Sequence, residues 1–393
     1  MRVLISGASI AGPVLAYWLV RRGIEATVVE RAPALRKTGG HAVDLFRPAM
    51  DISEQMGVID QIEAHATGTK RLIVDREGDR RPAVVDYDKL MGTISDRHVE
   101  IMRDDLSQIY YDAGRDDVEY IFGDEITGIS PDGDVSFARG AGRKFDVIVG
   151  ADGLHSGVRE LTFGPESGHT RFLDRHLAVL SVPKSLAREG DLIAHLGVDR
   201  MSAIYTADHL PDARALFIFR AAQPLGFGHR DTELQKALVD STFRSMSPDI
   251  DSWLDELDAG GSFYFDSITQ LELTSWSRGR VTLVGDAGYC PGPAVGGSTS
   301  IAVLGAYVLA GELQRAGDDF GAAFAAYESV MSDPVERSRT FARTVAGHLV
   351  PTSSWRAWAL TALARTVELL PAGHTRALAK LNNKGIRLYD SMA

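Results

Sequence analysis

Cysteine is almost missing from this chain: Cys290 is the only one in 393 residues. A disulfide framework, a multi-thiolate zinc site and a CxxC redox pair are therefore excluded. Cys290 itself reads as a small core hydrophobe. Positive charge is also short. The 42 Lys and Arg face 53 Asp and Glu, a net charge of −11, whereas a nucleic-acid binder needs a basic face. Uninterrupted apolar runs of the ~20 residues that span a bilayer are lacking too. Residues 3–20 and 287–311 carry no charge, but Gly7, Ser9, Gly12 and Pro13 break the first, and Pro291, Gly292, Pro293 and the following Gly and Ser residues break the second. The first also lacks the continuous apolar centre of a signal peptide. The expected location is therefore cytoplasmic, with no stable membrane association.

What remains is an ordinary globular composition, 45% hydrophobic and 24% charged, with length for about two domains. The N-terminus reads strand (3–6), helix (12–22), strand (26–30), a βαβ opening that implies a parallel sheet. Helices follow at 48–56 and 103–113. Strands follow at 71–74, 83–85, 118–122, 125–129, 134–138 and 145–149. From about 175 to 220 strand-like runs succeed one another without helices, the pattern of an antiparallel sheet. Helices return at 231–245 and 250–257, a short strand falls at 281–284, and everything from 299 onward reads helical. The expected fold is α/β: a discontinuous Rossmann-type domain (1–70, 98–174 and 270–345), a second domain on an antiparallel sheet (71–97 and 175–269), and a C-terminal helical segment (346–393).

Three motifs carry chemistry. Gly7-Ala8-Ser9-Ile10-Ala11-Gly12 closes the first strand and opens the first helix, with Glu30 at the end of the second strand. Gly7 suits the tight turn and Gly12 close helix–strand packing, while Ser9 replaces the usual middle glycine of a dinucleotide fingerprint. The helix N-terminus offers unpaired N–H groups to a pyrophosphate. Glu30 suits ribose hydroxyls and would repel a 2′-phosphate. By itself this motif leaves NAD and FAD undistinguished. The second motif runs from Phe145 through Gly150-Ala151-Asp152-Gly153 to Arg159. The third runs from Gly279 through Gly285-Asp286-Ala287 to Pro293, Gly296 and Gly297. Each sets its Asp at the C-terminal end of a strand, where open α/β sheets bind ligands.

Together these residues resemble the flavoprotein aromatic hydroxylases, the p-hydroxybenzoate-hydroxylase-like class A monooxygenases. The segment Gly39–Arg47 is most similar to members acting on polycyclic antibiotics and polyketides, including tetracycline-inactivating enzymes. The resemblance implies FAD, held by Gly7, Ser9, Ala11, Gly12, Glu30, Arg31, Arg103, Asp152, Gly285, Asp286, Pro293, Gly296, Gly297, Ser298 and Thr299. Arg31 would lie by the adenine, Arg103 would contact the flavin, and Pro293, Gly296 and Gly297 would line its ring. Tyr289, Ser298 and Ser300 depart from the family pattern. Ser298 or Thr299 is a natural N-cap for the helix that follows.

The implied reaction is hydroxylation of an aromatic or polyketide-like molecule with O2. NAD(P)H would be a transient co-substrate, and oxygen transfer would pass through a flavin hydroperoxide. The lone dinucleotide fingerprint agrees with transient NAD(P)H. Candidate substrate contacts are Arg47, Pro293, Phe217 and Phe219, although period-two aromatics also describe plain core. Two rival readings remain, a FAD protein that sequesters a polycyclic ligand without oxidising it, and a reductase or dehydrogenase on the same fold. Monomer and homodimer are both open. In the tail, Trp355, Trp358, Ala359, Ala362, Leu363, Val367 and Leu370 recur at helical spacing, a stripe expected to pack on the body or close a substrate entrance.

Overall fold

The computed structural model describes residues 1–35, 40–79, 81–92, 94–223, 225, 231–293 and 297–368. Near-continuous apolar runs build the first sheet. Arg2–Ser6 lies between Glu25–Glu30 and Val147–Gly150, and Glu119–Phe122 and Val281–Leu283 extend it in parallel on either side. Ser277–Arg278 adds a short antiparallel edge, making six strands. Leu4 and Ile5 are fully buried because helices cover both faces, as parallel sheets require. The turns after Arg2–Ser6, Val147–Gly150 and Val281–Leu283 all leave the same edge of this sheet, which gathers the three motifs.

The second sheet has seven strands, in the order Phe263–Leu271, Thr170–Pro183, Asp212–Arg220, Arg200–Tyr205, Asp191–Gly197, Arg71–Arg76 and Ala83–Asp86. It is antiparallel except where Asp191–Gly197 pairs in parallel with Arg71–Arg76. Its side chains alternate between two cores. Ala178, Leu180, Phe217 and Phe219 pack under Val239 and Phe243 of the helix Thr232–Phe243 and Ile250 and Trp253 of the helix Pro248–Leu254. Leu177, Val179, Met201 and Ile218 face the other way, against Ala342 and Ala346.

Phe217 and Phe219 are thus core residues on the helix-covered face, and neither floors a substrate pocket. Phe217 is fully buried, with Phe243 at 5.1 Å between ring centroids.

The helix Phe320–Leu349 ties the two sheets together. Phe324, Tyr327 and Met331 sit in the core of the parallel sheet, and Ala342 and Ala346 in that of the second. A two-stranded ribbon, Ala42–Phe46 with His98–Met102, lies between the sheets. The C-terminal helix Ser354–Glu368 packs on the edge strand Ala83–Asp86 and its neighbour Arg71–Arg76. It does so through Ala357, Leu360, Thr361 and Ala364. Trp355 and Trp358 are 66% and 57% exposed. The two tryptophans therefore face solvent rather than the body of the protein. The Val367 side chain and Leu370 lie outside them. No described helix is long and apolar enough to cross a membrane.

Candidate active site

The first turn is built by sterics. Gly7 has a φ of 108°, and a β-carbon there would stand 2.5 Å from the Ala151 carbonyl oxygen. A β-carbon on Gly12 would stand 1.9 Å from the Gly7 carbonyl oxygen. Only glycine permits this approach of turn, helix and neighbouring strand. The helix Ala11–Arg21 then starts at Ile10 with no side-chain cap and no acidic residue in its first turn. Its first N–H groups have no intrahelical partner and suit an anion. Glu30 braces the turn from the next strand, accepting from the Ala8 N–H at 3.0 Å and the Ala32 N–H at 2.9 Å. Arg31, beside it, is exposed.

Arg103 opens the helix Arg103–Gly114 and donates to Ser9 Oγ at 3.2 Å, while Ser107 Oγ donates to the Ser9 carbonyl at 3.0 Å. A guanidinium is thereby set over the uncapped helix end. The third motif arrives at the same place. Gly285, with φ 65°, lies where a β-carbon would meet Ala11 Cβ at 3.3 Å and Ala302 Cβ at 3.2 Å. Ala302 belongs to the first turns of the helix Ser298–Ala316. Two helix N-termini thus converge on Gly285, with Asp286 next to it.

The second helix departs from expectation. Its N-cap is Gly297, left-handed at φ 84°, with no side-chain cap and no acidic residue in the first turn. Ser298 Oγ donates to the Asp286 carboxylate instead, and Thr299 lies within the first turn. Among the described residues nothing accepts from the first N–H groups of this end either. Ser300 Oγ accepts from the Phe46 N–H at 3.0 Å and reaches the Asp44 carbonyl at 3.3 Å, tying the helix to the ribbon. Pro293 sits in the turn before the helix, and Gly296 lies outside the described residues. Tyr289 is buried, 3.1 Å from the Tyr327 hydroxyl that donates to it, and a β-carbon on Gly305 would collide with its oxygen.

Two expected site residues are spent elsewhere. The Asp152 carboxylate accepts from Ser156 Oγ, the Val158 N–H at 3.2 Å and Ser6 Oγ at 3.3 Å. It braces the start of the helix Gly157–Phe163, whose N-cap is Ser156, and ties it to the first strand, and burial raises its pKa. Arg47 pairs bidentately with Asp96 at 2.7 and 2.8 Å. It is engaged by protein rather than turned to a ligand.

Other groups near the site were not singled out from sequence. Tyr205 Oη accepts from the Ala42 N–H at 2.6 Å, and Arg214 Nε donates to the Gly40 carbonyl at 3.2 Å. The second sheet thereby pins the chain that leads into the ribbon. Burial and the Arg103 charge lower the His41 pKa to about 4, so the imidazole is neutral. Glu100, opposite Asp44 in the ribbon, accepts from Tyr87 Oη at 3.0 Å and Thr69 Oγ1 at 2.8 Å, and burial raises its pKa. Strand alternation in 42–46 and 98–102 was the available signal.

The fold and these turns are those of one family. Residues 1–316 match the FAD binding domain family, and the chain belongs to it. A flavin-dependent monooxygenase of Legionella longbeachae is 33% identical over 350 residues, covering 87% of each protein. An uncharacterized protein of Mycobacterium tuberculosis is 42% identical over 346 residues, 86% of this chain and 91% of that one. Among solved structures, the tetracycline destructase Tet(55) superposes with a TM-score of 0.81 at 30% identity, covering 93% of this chain and 95% of the other.

Proposed function

We propose that this chain is an NAD(P)H-dependent FAD monooxygenase that inserts one oxygen atom from O2 into an aromatic or polyketide-like small molecule. The observation that carries the reading is the convergence of two uncapped helix N-termini on Gly285, beneath Arg103 and beside Glu30. That donor set suits FAD. The helix Ala11–Arg21 and Arg103 would hold the pyrophosphate, Glu30 the adenosine ribose, and Asp286 the ribityl chain. Pro293 and Gly297 would border the ring.

Bound there, FAD would supply the redox and oxygen chemistry. The protein's part is orientation, charge and exclusion of water. The free N–H groups after Gly297 favour negative charge at the adjoining edge of the ring. The second sheet and the ribbon, tied to this region through Tyr205, Arg214 and Ser300, would exclude bulk solvent from the bound ring. The test is NAD(P)H oxidation by the purified protein with and without phenolic polyketides and tetracyclines, with mass spectrometry of the product. Substrate-stimulated oxidation and one added oxygen labelled from 18O2 are expected. Tight binding without oxygen gain favours a sequestering protein, and label from water overturns the reading.

A further inference from the structure

A hydrogen-bonded row that the monooxygenase reading leaves unused joins the two sheets. Tyr264 and Asp266 lie two apart on the edge strand Phe263–Leu271 and so share a face. Register sets Asp266 opposite Leu177 and Tyr264 opposite Val179, on the face away from Phe217. Tyr264 Oη donates to Asp266 Oδ2 at 2.9 Å. His155, three residues past Asp152, approaches the same oxygen through Nε2 at 3.3 Å and Glu166 through Nδ1 at 3.1 Å.

The protons in this row have defined places. Hydrogen bonds to Asp266 and Glu166 raise the His155 pKa to about 10, so the imidazole is a cation. Burial alone would raise the Asp266 carboxyl, but the bonds from His155 and Tyr264 outweigh it and hold the pKa below its ordinary value. Burial and the Asp266 charge push the Tyr264 phenol up, so it keeps its proton. Yet 36% of Tyr264 is reachable by solvent. That exposure leaves the ring open to a ligand. The same strand is tied to the second motif's loop through His155 and to the third motif through Gln270 Nε2, which donates to the Pro291 carbonyl at 2.9 Å, and the Leu271 N–H, which donates to the Cys290 carbonyl at 2.9 Å, so the row lies between those two motifs.

A phenol carries one proton. That of Tyr264 goes to Asp266, a carboxylate with no proton to return, so the remaining lone pair of Tyr264 can only accept. We propose that Tyr264, oriented by Asp266 and His155, is a specificity-determining contact that accepts a hydrogen bond from a hydroxyl group of the ligand bound between the second and third motifs. The inference rests on the FAD site described above. The hydroxyl belongs either to the cofactor's sugar-alcohol chain or to the substrate, and binding measurements separate the two without any turnover.

The experiment compares wild type, Y264F and D266N in two arms. One titrates FAD into apoprotein by fluorescence quenching. The other titrates holoprotein with 2,6-dihydroxyanthraquinone and with its dimethyl ether, followed by flavin absorbance. A donor on the cofactor predicts FAD binding about tenfold weaker in Y264F, the size of one neutral hydrogen bond. A donor on the substrate predicts that wild type prefers the dihydroxy probe about tenfold and that Y264F loses the preference. D266N separates a positioned phenol from a structural one. Its amide can donate to Tyr264 and turn the phenol proton outward, so the favoured partner shifts from hydroxyl to ether, or FAD weakens as in Y264F. If Y264F and D266N leave both the FAD affinity and the probe preference unchanged, the proposal is overturned. Oxygen incorporation is read in neither arm, so a protein that never oxygenates anything but shows these shifts keeps the acceptor site and loses the monooxygenase reading.

Discussion

The two sheets are organised by different rules, and their roles follow from that. In the parallel sheet, strands such as Val147–Gly150 are buried on both faces, and information collects in the turns at their ends. Gly7, Gly12 and Gly285 are fixed there by backbone clearance. In the seven-stranded sheet each strand serves two cores, and information lies in alternation. Phe217 and Ile218 are neighbours in sequence and belong to different halves of the domain. One sheet concentrates its constraints in turns, and the other divides its side chains between two faces.

The comparison breaks most visibly at Phe217. F217A should cost about 3–5 kcal/mol, as truncation of a buried phenylalanine does. Folded molecules should still bind FAD one to one, because the turns belong to the other sheet. A melting scan with flavin stoichiometry checks both, and flavin loss without destabilisation would place Phe217 back at the site. G12A should cost less, about 1–3 kcal/mol from forced contact, yet abolish FAD retention, since the Gly7 carbonyl must move. A yellow G12A protein would show that the turn tolerates a side chain.

Acid should sharpen the contrast next. His176 stacks between Phe219 and Phe265 at 5.5 and 5.6 Å, and burial lowers its pKa from the ordinary 6.5 to about 4. A base depressed in the folded state stabilises above the unfolded value and loses that contribution as pH falls from about 6.5 to 4. H176F should therefore flatten the decline of melting temperature across that window. An unchanged slope would assign the decline to other groups, of which His41 is the first to test. The smallest effect is expected at Arg47. Its pairing with Asp96 is half-exposed, so R47A should change stability by about 1 kcal/mol or less. Substrate affinity should stay within about twofold, whereas a large rise in KM would return Arg47 to the site.

Legibility followed the same division. The turns around Gly7, Gly12 and Gly285 were readable because a positive φ or a backbone approach admits one residue type, whatever lies further away. Glu30 was readable from its place at a strand end. The ribbon Ala42–Phe46 with His98–Met102 was not, since its strands are 52 residues apart and neither has a hairpin turn to announce the pair. The exchange of Ser298 for Gly297 as helix cap was hidden as well, because Asp286 competes for the serine hydroxyl only after the two segments fold together.

The sequence by itself determined the family, the parallel sheet and the glycine turns at its strand ends, because those features rest on local sterics and on apolar runs a few residues long. Tertiary structure alone decided what the polar side chains do. Asp152 and Arg47 were drawn into protein contacts. Trp355 and Trp358 were turned to solvent, and Tyr264, Asp266 and His155 were brought from separate segments into one row. A hydrogen bond or ion pair needs a partner within about 3 Å in a fixed direction, and residues 111 positions apart, as His155 and Asp266 are, acquire that only when the sheets are in place.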